Sequence, residues 1–216
     1  MSKVSATKKP PRVQPKAVRR DQLIRATMKC IARNGLSGTT MAEVTREAGL
    51  SLGIANLHFE SKDKLLTETL LHVSQEYNGG QLRILESDKY PSTADKIEAL
   101  LQFDFCREVA TKDKIAVWYA FWGEAKSRPT YQHIRRDMDV SAEKALSHLI
   151  QVAIDEAGYK NVDPLMLATG YTALSNGLWL NMLLASQHPK RSQARMVARN
   201  YLSSALPKHI STGEPV

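Results

Sequence analysis

Between Thr40 and Phe59 the segment TMAEVTREAGLSLGIANLHF starts a helix twice and interrupts it once, and this punctuation restricts the fold more than any other stretch. Thr40, with Glu43 three residues later, makes a capping box that opens MAEVTREA. Gly49 reaches the left-handed conformation that ends a helix at little cost. Ser51 then caps a second short helix, Leu52 to Phe59. Two short helices joined by a glycine turn must cross, with Ala42, Val44, Ala48, Leu50, Ile54 and Phe59 as the expected inward contacts.

Helical signals fill the chain on both sides. Leu23, Ile24, Thr27, Met28, Ile31 and Ala32 form one face of a first helix, ended by Asn34-Gly35. Ser61 caps a helix from Lys62 whose apolar series Leu66, Thr69, Leu70, Val73 is expected to break at Gly79-Gly80. Residues 87 to 93 read as a loop, with Ser92 and Asp95 capping a helix that carries Ile97, Leu100, Leu101 and Phe105. Further helices are expected from about Asp113 to Lys126, closed by Pro129, and from Tyr131 to Glu156, stopped by Gly158. Two more run from Leu165 to Ala185, opened by Asp163-Pro164, and from Ser192 to Leu206. No stretch combines period-2 alternation with β-branched enrichment, so the expected fold is all-α with about nine helices.

The net charge of +8 is unevenly placed. Lys3, Lys8, Lys9, Arg12, Lys16, Arg19 and Arg20 precede the first acid, which leaves only one positive charge for the rest of the chain. With Pro10, Pro11 and Pro15 among them, the first residues read as a flexible arm that either attracts phosphates or serves as a solvated tail. No apolar stretch follows this basic start, and the apolar run Leu165–Ala185 holds Thr169, Thr172, Ser175, Asn176 and Asn181. A signal peptide and a membrane span are therefore not expected, and the protein is expected to be cytoplasmic. Cys30 and Cys106, in unrelated apolar contexts, fit reduced core residues.

A supporting helix, a glycine turn and a second helix free to enter a groove make a helix-turn-helix. The stretch resembles the DNA-binding domain of the TetR family at Thr40, Ala48-Gly49-Leu50-Ser51, Gly53, His58-Phe59, Ser61-Lys62 and Leu65. That resemblance implies phosphate contacts from Thr40, Ser51, His58 and the helix start at Lys62. Base reading then falls to Leu52, Gly53, Ala55 and Asn56, of which Asn56 can pair bidentately with adenine. Two positions depart from the family pattern: Leu52 stands where a basic or polar residue is common, and Asn56 where a tyrosine is common.

Beyond Gly80 the aromatic residues cluster in AVWYAFWGEAKSRP. Trp118, Phe121 and Trp122 share a helical face, and Trp179 in SNGLWL can close over them. Such a stripe is either a bulky core or a box for a cation, with Glu124 or Asp104 to balance the charge. The FW and GLWL segments, their spacing and the RRDQLI opening resemble the choline-responsive BetI type of repressor of glycine betaine synthesis. That likeness implies a choline-like quaternary amine as effector, a palindromic operator in double-stranded DNA, and a homodimer through the last two helices. A regulator of an unrelated operon with another aromatic or cationic effector is the alternative.

The expected division is a flexible basic arm at 1–17, a DNA-binding domain at 18–77 with its motif at 40–59, an effector-binding and dimerisation domain at 78–207, and a flexible tail at 208–216. Catalysis is not expected, because the chain has no GxSxG, P-loop or HExxH, and its six histidines form no metal-spaced pair; neither metal nor cofactor is called for. A helical adaptor that binds no DNA is the remaining rival, and salt-dependent DNA affinity separates the two.

Overall fold

Local capping sets most of the helix boundaries in the computed structural model, which describes residues 15–184 and 190–212, apart from the side chains of residues 138 and 139. The helices are α1 (Lys16–Gly38), α2 (Met41–Ala48), α3 (Leu52–His58), α4 (Lys62–Glu86), α5 (Thr93–Asp104), α6 (Lys112–Glu124), α7 (Pro129–Ala157), α8 (Pro164–Leu184) and α9 (Arg191–Ala205). Among the described residues there are nine helices and no strands, as the periodicity predicts. Thr40 and Glu43 form the capping box of α2, Ser92 and Asp95 that of α5, and Ser51 and Ser61 cap α3 and α4. Gly49 and Gly158 end their helices in the left-handed region, and Gly35 (φ 70°) interrupts α1 where Asn34-Gly35 was expected to end it.

α1 packs against α2, α4 and α6, so the first helix joins the α2–α3 unit to the body. α4 continues from that unit across α5 and α7; α7 packs on α8, and α8 on α9. One apolar core runs through all of it, from Leu23 and Phe59 at one end to Leu202 and Ile210 at the other.

Three expectations are corrected. The helix from Lys62 does not break at Gly79-Gly80 but runs on to Glu86. The reason is tertiary: a Cβ on Gly80 would lie 2.1 Å from Phe103 Cζ, so the glycine admits an α5 ring against the α4 backbone. Pro129 opens α7 at its first turn, where a missing N–H costs nothing, besides following α6. The expected tail is also partly ordered. Lys208 N donates to Tyr159 Oη at 2.7 Å, His209 Nε2 meets Glu156 at 2.8 Å, and Ile210 is buried. Of the expected arm, residues 1–14 lie outside the described residues, whereas Lys16 already belongs to α1. Ala185, the expected end of α8, also lies outside them.

The two neighbouring glycines of α4 separate packing from propensity. Gly80→Ala should destabilise the protein by about 1–3 kcal/mol through overpacking against Phe103. Gly79→Ala, whose Cβ meets only the flexible end of Arg83, should be neutral or stabilising by up to about 1 kcal/mol. Urea denaturation of both variants checks the opposite signs.

Candidate DNA-reading face and effector cavity

α2 is held against α1, and α3 packs on α2. Glu47 accepts from Lys29 Nζ at 3.2 Å and Arg33 Nη1 at 3.0 Å, while Gln22 Nε2 donates to the Ala48 carbonyl at 2.6 Å. Beneath them Val44, Ala48, Ala55 and Phe59 are buried, and Arg20 lies over the Phe59 ring at 4.8 Å from its centroid. Leu50 and Ile54 are partly buried as expected of inward residues, but Ala42 is exposed.

On α3 the exposed residues are Leu52, Gly53, Asn56 and Leu57, which at about 100° per residue span roughly 140° of the helix. Ala55 is excluded from this arc. It is fully buried, because its position on the helix turns it into the apolar core rather than outward. Leu57, which sequence reasoning passed over, is 75% exposed. Its signal was available: it follows Gly53 by four residues, one helical turn along the same face.

The expected phosphate ligands are differently placed. Thr40 and Ser51 are exposed, their side chains accepting the capping bonds from Glu43 N and Ile54 N. Lys62 Nζ reaches back to the Ser37 carbonyl at 3.3 Å, so its side chain is engaged within the protein. His58 is half-buried, with Nδ1 lacking a partner. Burial, and then the nearby cations Lys16, Arg20 and Arg19, push its pKa below the usual imidazole range, which favours a neutral ring.

In the body, α4, α5, α6, α7, α8 and α9 line a cavity. Tyr77, Trp118, Trp122, Tyr171 and Trp179 line it, with Asp104 as an acid among them. Tyr77 meets Trp118 and Trp179 edge-on, at centroid separations of 6.5 and 6.1 Å. Asp104 is 4% exposed. Tyr77 Oη donates to its Oδ1 at 2.7 Å, Tyr171 Oη to its Oδ2 at 2.8 Å, and Trp179 Nε1 to its carbonyl at 3.0 Å. Burial raises the Asp104 pKa to about 6 despite the two phenol donors, which hold it down.

Of the expected effector ligands, Trp118, Trp122 and Trp179 come together here. One face of Trp122 already carries Arg135, 4.9 Å from the ring centroid. Phe121 does not line the cavity: it is buried against Tyr131, edge-to-face at 5.0 Å. Glu124 is not its acid either, because the side chain pairs with Arg128 at 2.8 Å, one turn along the chain. Asp104, the other acid named from sequence, lies among the residues that line the cavity. Tyr77 and Tyr171 were missed. Tyr171 had a signal, since it precedes Ser175 and Trp179 by one and two turns on a single face of α8.

Comparison with known proteins agrees with this layout. Residues 93–207 match the family described as BetI-type transcriptional repressor, C-terminal, and residues 23–69 match bacterial regulatory proteins of the tetR family. The HTH-type transcriptional regulator BetI 2 of Chromohalobacter salexigens is 31% identical over 199 residues, covering 91% of this chain and 92% of the relative. A regulator structure from Pseudomonas aeruginosa PAO1 superposes with a TM-score of 0.77 at 24% identity, covering 91% and 95% of the two chains. A Saccharomonospora viridis regulator, solved in complex with choline, has a TM-score of 0.76 at 19% identity, with 87% and 96% covered.

Burial and exposure on α3 make a test that needs no DNA. Ala55→Leu should lower stability by about 1–3 kcal/mol, because a filled core position has no room. Asn56→Ala should stay within about 0.5 kcal/mol of the parent. Thermal melting of the two variants distinguishes the inward position from the outward one.

Proposed function

Because the chain belongs to the TetR family of bacterial regulatory proteins and carries a BetI-type repressor C-terminal region, we propose that a choline-like quaternary amine in the aromatic cavity controls its grip on operator DNA. The observation that carries this reading is a buried carboxylate inside a box of indole and phenol rings. Aromatic faces attract a quaternary ammonium while burying its methyl groups, and Asp104 supplies the opposite charge. Among the described residues that line the cavity there is no lysine, arginine or histidine, and Arg135 lies over one face of the Trp122 wall. The choline bound by the Saccharomonospora viridis protein adds support from a chain of the same fold.

The DNA side of the proposal uses Asn56, Gly53 and Leu52 of α3 for bases, and Thr40, Ser51 and the start of α4 for phosphates. A single seven-residue helix offers little interface, so two copies on a palindrome are expected. Leu165, Met166 and Leu184 of α8 and Val197 of α9 are exposed and apolar, and a homodimer buries them. The effector then acts by binding better to the dimer state whose reading helices misfit the operator. Its regulated genes are proposed to serve choline uptake and oxidation to glycine betaine.

A mobility shift with the DNA beside this protein's own gene, titrated with choline, betaine aldehyde and unrelated amines, tests the whole scheme. Trp118→Ala should blunt the response to choline while leaving the DNA affinity of the free protein unchanged. Acid should weaken choline binding as well. Protonation of Asp104 near pH 6 removes the charge that faces the cation, so affinity should fall as pH drops through that value, by up to about tenfold per unit below it. Asp104→Asn should bind choline weakly and without that pH dependence. Isothermal titration from pH 5 to 8 checks both, and a flat profile for the parent protein removes Asp104 from the site.

A further inference from the structure

The outward arc of α3 is more apolar than hydrogen-bonded base reading requires. Leu57 is 75% exposed and Leu52 47%, and they flank the Asn56 amide on either side of the arc. Neither leucine is needed for the crossing of α2 and α3, which Val44, Ala48, Ala55 and Phe59 fill from beneath. In the major groove, the apolar feature that a base pair presents is the C5 methyl group of thymine. The surroundings favour a polyanion over an apolar protein partner: Lys16, Arg19 and Arg20 of α1 lie close enough to His58, at the end of α3, to depress its pKa.

Building on the proposed DNA-reading role of α3, we infer that Leu57, assisted by Leu52, reads thymine by its methyl group. Leu57 is one residue past Asn56, a rise of about 1.5 Å along the helix and a turn of about 100° around it. The two side chains therefore reach neighbouring base pairs rather than the same one. The preferred half-site carries an adenine met by Asn56 and an adjacent pair whose thymine methyl packs on Leu57. Specificity at that pair comes from burying one methyl group, and the leucine stays exposed until DNA covers it.

The test begins with the full-length protein and a pool of random duplexes, from which bound sequences are enriched. Each thymine of the enriched half-site is then replaced in turn by deoxyuridine, which lacks only the methyl group. At one such position the parent protein should lose affinity about fourfold, the worth of one buried methyl. Leu57→Ala should bind the thymine duplex correspondingly less well and should not distinguish thymine from deoxyuridine there, while Asn56→Ala should still distinguish them. If the parent protein binds every deoxyuridine duplex as well as the thymine one, or if Leu57→Ala retains the discrimination, the inference fails while base reading by α3 stands. If no sequence is enriched at all, base reading itself fails and takes the inference with it.

Discussion

The body of this protein is organised around a carboxylate that has been taken out of water. Asp104 sits at the end of α5, and its three hydrogen-bond partners come from two other helices: Tyr77 from α4, Tyr171 and Trp179 from α8. Burial moves its pKa from 3.8 to about 6, roughly two units, which corresponds to about 3 kcal/mol against the ionised form. The sign follows from linkage. Between those two values the folded chain holds a proton that the unfolded chain has released, so stability falls as pH rises through the interval and stays low above it. A cation in the cavity reverses that penalty by favouring the ionised carboxylate. A strained acid is therefore a sensible place to put a ligand response, because the free energy withheld in the empty state is regained on binding.

Under the proposed function, the same acid links the cavity to the DNA side. Tyr77 belongs to α4, which runs without a break from Lys62, beside the reading helix, to Glu86. At its start α4 is tied to α1 by Lys62 to Ser37 and by Arg20 to Glu68, and to the N-cap of α7 by Asp63 to Arg128. A ligand that draws on Asp104 changes the acceptor of the Tyr77 hydroxyl, whereas a helix without a hinge transmits displacement along its length. Coupling free energies of about 1–3 kcal/mol are usual between such sites, a scale comparable to the penalty carried by Asp104.

Legibility in the sequence followed the range of the interactions. The boundaries of α2, α3, α5 and the end of α7 were readable because their causes are local: Thr40 with Glu43, Ser51, Ser92 with Asp95, and the left-handed Gly49 and Gly158. Gly79-Gly80 misled for the opposite reason. Their meaning depends on Phe103, which is distant in sequence, and a glycine pair that looks like a break is a seat for a ring. Ala55 failed on phase: a small residue in a short helix can face either way, and only tertiary packing decides. The tail fared likewise, since Lys208 and His209 find their partners at Tyr159 and Glu156, some fifty residues back.

Within the cavity the aromatic residues were visible and the arrangement was not. Helical spacing put Trp118, Phe121 and Trp122 on one face, but a face wider than a single neighbour is divided between neighbours, so Phe121 turned to Tyr131 while the tryptophans turned to the cavity. Spacing alone does not choose between Glu124 and Asp104. Glu124 has Arg128 four residues on, a helical ion-pair spacing that settles its charge at the surface. Asp104 has Arg107 three residues on, a comparable spacing, yet in the fold its oxygens accept from Tyr77 and Tyr171 instead. A buried acid without an ion-pair partner marks either a hydrogen-bonded hub or a ligand's counter-charge. Here the phenols of Tyr77 and Tyr171 make it the hub, and the aromatic walls leave it open to the second role.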